Sequence, residues 1–377
     1  MCIRDRPGKT LLLTIDQELN QKIAQVLQNT TTRLQRPKAA AIALNPHTGE
    51  VLALVSLPTF DNNLFNQPHK YSEKINALLR DETQPLFNRV ISGEYPPGST
   101  FKIMISAAAL QENLINQWTQ ILSTGGIQID KWYFPDWQAR GHGLTNITKA
   151  LAESVNTFFY YIGGGYQNFK GLGLDKIINY AIQFNFGKIL GIDLSHEASG
   201  FIPTREWKIN TKHENWYIGD TYHLSIGQGS ILVTPLQIAN LTATIANGGK
   251  IYRPHLVKQI FSGDIENPQE VQNISPKILN SNFIDKNNIE IIQQGLQRAV
   301  THGSASYLND LPFTTAGKTG TAQAGENTDP HAWFTVYAPY ENPEIVLTIL
   351  IENGGEGSTV ALPVAKEILR WYFQNKD

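Results

Sequence analysis

The segment that most constrains the fold is Ser99-Thr100-Phe101-Lys102-Ile103-Met104-Ile105-Ser106-Ala107-Ala108-Ala109-Leu110, which follows the turn-forming Tyr95-Pro96-Pro97-Gly98. It is apolar on nearly every face, and a helix of that kind is buried all round. The chain must supply layers on every side of it. With 377 residues, 41% of them apolar, there is enough material for at least one large core, and length alone allows two or three domains. Inside this helix sits Lys102, whose cationic form is costly to bury.

The flanking patterns give the class of fold. Residues 10–15 form a short apolar, β-branched run, and residues 16–27 place Leu19, Ile23, Val26 and Leu27 at helical spacing behind Asp16 as a cap. Residues 30–37 read as a polar connector. Residues 39–44 and 51–57 are strand-like, and Asn45-Pro46-His47-Thr48-Gly49-Glu50 supplies the turn of a hairpin. Residues 61–94 are polar and irregular. Residues 144–248 are mostly helical in pattern with glycine interruptions, and Thr234-Pro235 opens a helix that runs to Asn247. Residues 313–316, 332–338 and 344–351 are strand-like, and residues 362–373 close the chain as an amphipathic helix. A hairpin, a helical insertion, further antiparallel strands and a terminal helix predict an α+β fold, not a doubly wound parallel sheet.

Composition removes several function classes. Lys and Arg number 31 against 33 Asp and Glu, a formal net charge of −2, so the basic excess of a dedicated nucleic-acid binder is missing. The single cysteine, Cys2, excludes an intramolecular disulfide framework, a Cys-rich zinc site and a Cys-X-X-Cys redox centre. No run approaches the roughly 18 apolar residues of a membrane helix, and Met1-Cys2-Ile3-Arg4-Asp5-Arg6-Pro7 carries no apolar signal region. The abrupt passage from residues 1–6 into patterned sequence is what a truncated or non-native beginning produces, with any upstream anchor lost.

Three short motifs carry chemistry. Ser99 and Lys102 stand three apart at a helix start, which puts a hydroxyl and an amine on one face. Unpaired backbone N–H groups there stabilise developing negative charge, and burial lowers a lysine pKa until the amine can act as a base. Taken singly, the pattern also fits a capping serine and a lysine that reaches water. Ser154-Val155-Asn156 follows a helical run at residues 147–153 and can turn a hydroxyl and an amide into a cleft, although the same residues suit an ordinary helix end. Lys318-Thr319-Gly320-Thr321 offers a cation and hydroxyls for a carboxylate, a glycine for close backbone approach, and strand groups for an extended peptide.

Other signatures fail. Gly317-Lys318-Thr319 matches the end of a phosphate-binding loop, but the glycine required five residues earlier is Pro312. No G-x-S-x-G elbow occurs, and His196-Glu197 and His213-Glu214 lack the second histidine of a zinc-protease helix. Asp136 and His142 are the nearest approach to a metal pair and, without a clear third ligand, read as structural.

Ser-X-X-Lys, Ser-X-Asn and Lys-Thr-Gly each occur once and in that order, which is the three-part signature of penicillin-binding proteins and serine β-lactamases. The likeness extends to Asn45-Pro46-His47-Thr48-Gly49-Glu50-Val51-Leu52-Ala53, Tyr95-Pro96-Pro97-Gly98, Gly141-His142-Gly143, Ser154-Val155-Asn156-Thr157-Phe158-Phe159-Tyr160, Pro203-Thr204-Arg205-Glu206-Trp207, Gly227-Gln228-Gly229 and Ala316-Gly317-Lys318-Thr319-Gly320-Thr321-Ala322-Gln323. From about Gly8 onward the chain resembles the penicillin-binding protein 2 family, the class B, elongation-specific peptidoglycan D,D-transpeptidases.

That resemblance implies an antiparallel sheet flanked by helices with a mostly helical subdomain, and an acyl-enzyme reaction without a cofactor. Ser99 would attack the carbonyl between two D-alanines of a stem peptide, with Lys102 as its base. Ser154 and Asn156 would relay protons and hold the substrate amide. Lys318, Thr319 and Thr321 would position the substrate carboxylate, with Gly320 also in the substrate-binding segment, and the backbone N–H groups of Ser99 and Thr321 would form the oxyanion hole. Some relatives hold a metal beside the second motif through a cysteine, an aspartate and residues matching Asp136 and His142; Val155 occupies the middle of the motif here, so no metal is expected.

Family members begin with a cytoplasmic tail, one membrane helix and an elongated non-catalytic domain. Residues 1–37 are therefore expected to be a remnant of that region and its connector, and residues 38–377 the transpeptidase domain, held in the periplasm at the inner membrane. The implied partners are stem peptides, β-lactams, a SEDS-family glycan polymerase and elongation-complex proteins, with no nucleic acid. Three alternatives share the motifs. A β-lactamase needs a positioned water and a base that nothing here marks. A D-Ala-D-Ala carboxypeptidase uses water in place of the acceptor amine, and a β-lactam sensor couples acylation to a signalling membrane domain.

Overall fold

A computed structural model describes residues 8–263 and 268–376. Cys2 and the rest of the first seven residues lie outside the described residues. Ala39–Leu44 (β1) and Val51–Leu57 (β2) form the expected hairpin. Ala316–Ala322 (β3), His331–Ala338 (β4) and Ile345–Ile351 (β5) join it in one antiparallel five-stranded sheet of order β3-β4-β5-β1-β2. The last three strands return beside the first two, with Thr348 opposite Ile42, so the whole helical insertion is looped out between neighbours in one sheet.

The sheet is covered on both faces, which is why its central strands β1 and β5, apolar at every position but Thr348, are buried throughout. Ala40, Ile42 and Leu44 face one core, shared with the helices Lys102–Gln111 (α2) and Pro235–Ala246 (α5). Ala39, Ala41 and Ala43 face the other, filled by Leu19, Ile23, Val26 and Leu27 of Gln17–Leu34 (α1) and by the terminal helix Ala361–Gln374 (α7). All twelve residues of α5 are buried, and its start is fixed by a capping box between Thr234 and Gln237. Thr242 of α5, Thr335 of β4 and Thr348 of β5 satisfy one another's buried hydroxyls at 2.7 and 2.8 Å.

Several expectations are corrected. The supposed connector at residues 30–37 is mostly the end of α1, which continues because Thr30 and Thr31 are buried and stops at Gln35 in a left-handed conformation. Residues 61–94 contain a 3-10 turn, Asn62–Asn66, capped by Asp61, and a helix, Ser72–Arg80. Residues 313–315 only lead into β3, which starts at Ala316 and carries the Lys-Thr-Gly motif itself. Other features had no expectation. Thr10–Leu13 pairs antiparallel with Val257–Gly263 in a separate three-stranded sheet, and Lys286–His302 (α6) packs against Ile147–Glu153 (α3) behind the second motif.

Candidate active site

Gly98–Phe101 is a 3-10 turn that runs directly into α2, where an α-helical start was expected. The tighter winding makes residues three apart eclipse, so Ser99 and Lys102 stand on one edge. Gly98 permits this with φ +54, and its N–H donates to Gly227 O at 2.9 Å. A Cβ at Gly98 would lie 2.7 Å from Thr321 O. Only glycine lets the Ser99 turn sit this close to β3.

Lys102 is fully buried. Its Nζ donates to Asn156 Oδ1 at 2.6 Å, Ser154 O at 2.9 Å and Ser154 Oγ at 3.3 Å, with the Phe159 ring centroid 5.1 Å away. Both oxygens of Ser154 reach the amine because that residue takes the left-handed conformation, φ +59, in the corner between α3 and Asn156–Gly164 (α4). Burial lowers the Lys102 pKa to about 7 against the opposing pull of Asp136.

Lys318, on β3, is also fully buried, and burial together with the charge of Lys102 holds its pKa well below the usual lysine value. Its Nζ donates to Thr319 O at 3.2 Å. β3 is an edge strand, with backbone groups available to an extended peptide. A Cβ at Gly320 would fall 2.9 Å from Thr100 Cγ2 and from Trp333 Cβ, so the strand lies directly against the Ser99 turn.

These segments enclose a cleft of about 390 Å³ lined by Ser99, Ser154, Asn156, Thr319, Gly320 and Thr321. The structure thus brings together the residues of the three motifs, with Lys102 and Lys318 buried behind the lining. Trp137, Glu153, Ser304, Glu356 and Ser358 complete the walls and were not singled out. Ser304 accepts from Thr319 Oγ1 at 2.9 Å, and Thr321 Oγ1 donates to Glu356 Oε2 at 3.3 Å. No local motif marks them. Ser304 follows Gly303 at the end of α6, and Glu356 lies in the Gly354-Gly355-Glu356-Gly357 loop after β5.

Asp136 and His142 are both engaged by other protein groups. Asp136 accepts the backbone N–H groups of Asn156, Thr157 and Trp137, His142 Nδ1 lies 2.7 Å from Glu153 Oε2, and Val155 brings no thiolate. Among the described residues no group of three or more His, Cys, Asp or Glu side chains is placed to hold a metal ion.

A looped-out helical region, a serine turn over a buried lysine and an edge strand bearing Lys-Thr-Gly define the penicillin-recognising serine enzymes. The chain belongs to the penicillin-binding protein transpeptidase domain family, whose model matches residues 39–370. It is 36% identical over 401 residues to the peptidoglycan D,D-transpeptidase MrdA of Haemophilus influenzae, covering 99% of this chain and 58% of that protein. It therefore spans a little over half the length of this relative. Among solved structures, it is similar to Pseudomonas aeruginosa PBP2 in complex with WCK 5153, with TM-score 0.83, 34% identity, and 98% of this chain and 80% of that one covered. Helicobacter pylori PBP2 in complex with MreC gives TM-score 0.79 at 31% identity, covering 97% and 64%.

Proposed function

We propose that this chain is the catalytic part of a peptidoglycan D,D-transpeptidase that cross-links stem peptides during cell elongation and is acylated by β-lactams. The observation that carries this reading is Lys102, a buried amine bonded to Ser154 and Asn156 beside Ser99. In the proposed cycle Ser99 Oγ attacks the carbonyl carbon of the penultimate D-alanine, and its proton passes to Lys102. The N–H groups of Ser99 and Thr321 stabilise the tetrahedral oxyanion. The C–N bond then breaks, the proton on Lys102 passes through the Ser154 hydroxyl to the leaving D-alanine amine, which leaves Lys102 neutral again and Ser154 protonated, and an ester to Ser99 remains. An amine from a second stem peptide attacks that ester, and Ser99 regains its proton. Asn156 holds the donor amide, Gly320 lets the substrate lie close to β3, and Lys318, Thr319 and Thr321 position the terminal carboxylate, which leaves with D-alanine.

Residues 38–377 form the transpeptidase domain in this reading, and residues 1–37 belong to the connector from a non-catalytic region. No described helix is long and apolar enough to cross a membrane. Attachment to the inner membrane, with the site facing the periplasm, would come from sequence such as the longer relatives possess. The MreC complex of the similar Helicobacter pylori protein supports elongation-complex partners, and a SEDS-family polymerase is the expected source of glycan.

The test supplies a stem peptide ending in D-Ala-D-Ala together with an amine acceptor peptide. Release of D-alanine matched by cross-linked product, and lost in Ser99→Ala, is expected. Release without cross-linking would replace transpeptidase by carboxypeptidase. Absence of both D-alanine release and penicillin acylation from the folded wild type would contradict the acyl-enzyme reading.

A further inference from the structure

Asp136 reaches no cleft-lining side chain, yet it holds the second motif from behind. It follows the strand Trp132–Pro135, and its side chain is completely buried. Oδ1 accepts the backbone N–H of Asn156 at 3.0 Å and of Trp137 at 2.9 Å, while Oδ2 accepts the N–H of Thr157 at 2.9 Å and Ser123 Oγ–H at 3.3 Å. Asn156 and Thr157 are the first two residues of α4, whose N–H groups have no partners within the helix. Val155, at the cap position, offers no side-chain acceptor. Asp136 supplies the missing cap from another segment and places full negative charge at the positive end of α4.

We propose that Asp136 is a positioning residue for acyl transfer, clamping Ser154 and Asn156 against Lys102 through the start of α4 and acting on that amine through its negative charge. This rests on the acyl-enzyme reading above. The same two backbone bonds that cap α4 fix the origin of Asn156, whose Oδ1 makes the shortest contact to Lys102. The groups around that amine are Ser154 and Asn156 at the corner of α3 and α4, the Phe159 ring on α4, and Lys318 on β3. Asp136 is the carboxylate that favours the protonated amine against burial. His142 Nε2 lies 3.8 Å from Asp136 Oδ1, and its Nδ1 side is engaged by Glu153.

The experiment follows acylation by a fluorescent penicillin across pH 5–9 for wild type, Asp136→Asn and Asp136→Glu. Asp136→Asn keeps the side-chain shape but removes the charge. Its acid limb is expected at lower pH than wild type, because Lys102 then loses its proton more readily, and its plateau is expected to fall on the order of 10- to 100-fold from misplacement of the second motif. Asp136→Glu keeps the charge, so its limb should coincide with wild type while the plateau falls. An unmoved limb in Asp136→Asn, or a displaced limb in Asp136→Glu, overturns the proposal. A purely structural role would lower both plateaus and move neither limb. Should neither variant fold, hydrogen exchange of the wild type decides: strong protection of the Asn156 and Thr157 amides is expected, and exchange at the rate of unpaired first-turn amides overturns the clamp. A folded wild type that never labels removes the acyl-enzyme reading instead.

Discussion

Lys102 makes three hydrogen bonds without any exposure to water, and all three go to oxygens that carry no formal charge. Burial therefore brings its pKa from 10.5 to about 7, which leaves about half of the molecules with a free amine near neutrality. The same shift has a cost in stability. Between the folded value near 7 and the unfolded value near 10.5, the unfolded chain holds the extra proton, so this lysine's penalty is complete below pH 7 and fades as pH rises towards 10.5. Its size is roughly 3–5 kcal/mol at most. Lys102→Met is expected to flatten that part of the dependence. Thermal unfolding at pH 7 and 9.5 checks this: wild type should gain stability relative to the variant across the interval, and an unchanged difference would contradict the buried-amine account.

At the scale of elements, the site is a contact between β3 and the Ser99 turn, and glycines set its closeness. Gly320→Ala puts a methyl 2.9 Å from Thr100 Cγ2 and Trp333 Cβ. The strand must then move from Ser99, with a destabilisation of about 1–3 kcal/mol and at least a tenfold slower acylation. Denaturant unfolding and penicillin-labelling rates measure the two effects, and a wild-type labelling rate would show that the spacing is not required. The same elements show what sequence can reveal. A buried helix and the Lys-Thr-Gly strand were legible because their patterns are local: no polar face in one, a cation, hydroxyls and glycine in the other. The 3-10 winding at Ser99 was not, since it depends on Gly98 meeting Gly227 and Thr321 from distant segments. Ser304 and Glu356 escaped for the same reason, because their place in the cleft comes from how α6 and the loop after β5 pack.

Two large cores lie on opposite faces of the five-stranded sheet, and Lys102 and Lys318 belong to the layer shared with α2 and α5. The other core is completed by α1, which precedes residue 39, where the family match begins, and nevertheless buries Leu19, Ile23 and Leu27 completely. The expected α+β order matched the observed one because strand and helix periods alternate clearly in the sequence; the separate sheet joining Thr10–Leu13 to Val257–Gly263 did not, since its pairing partners lie more than two hundred residues apart. Ser99, Ser154 and Lys318 come from three well-separated segments, and their convergence on one cleft is the central claim. Its most direct test is the intact mass of the folded chain after exposure to benzylpenicillin, followed by peptide mapping. One adduct per chain, located on Ser99 and absent from Ser99→Ala, is the expected result; no adduct, or an adduct retained at another residue when Ser99 is replaced, would contradict it.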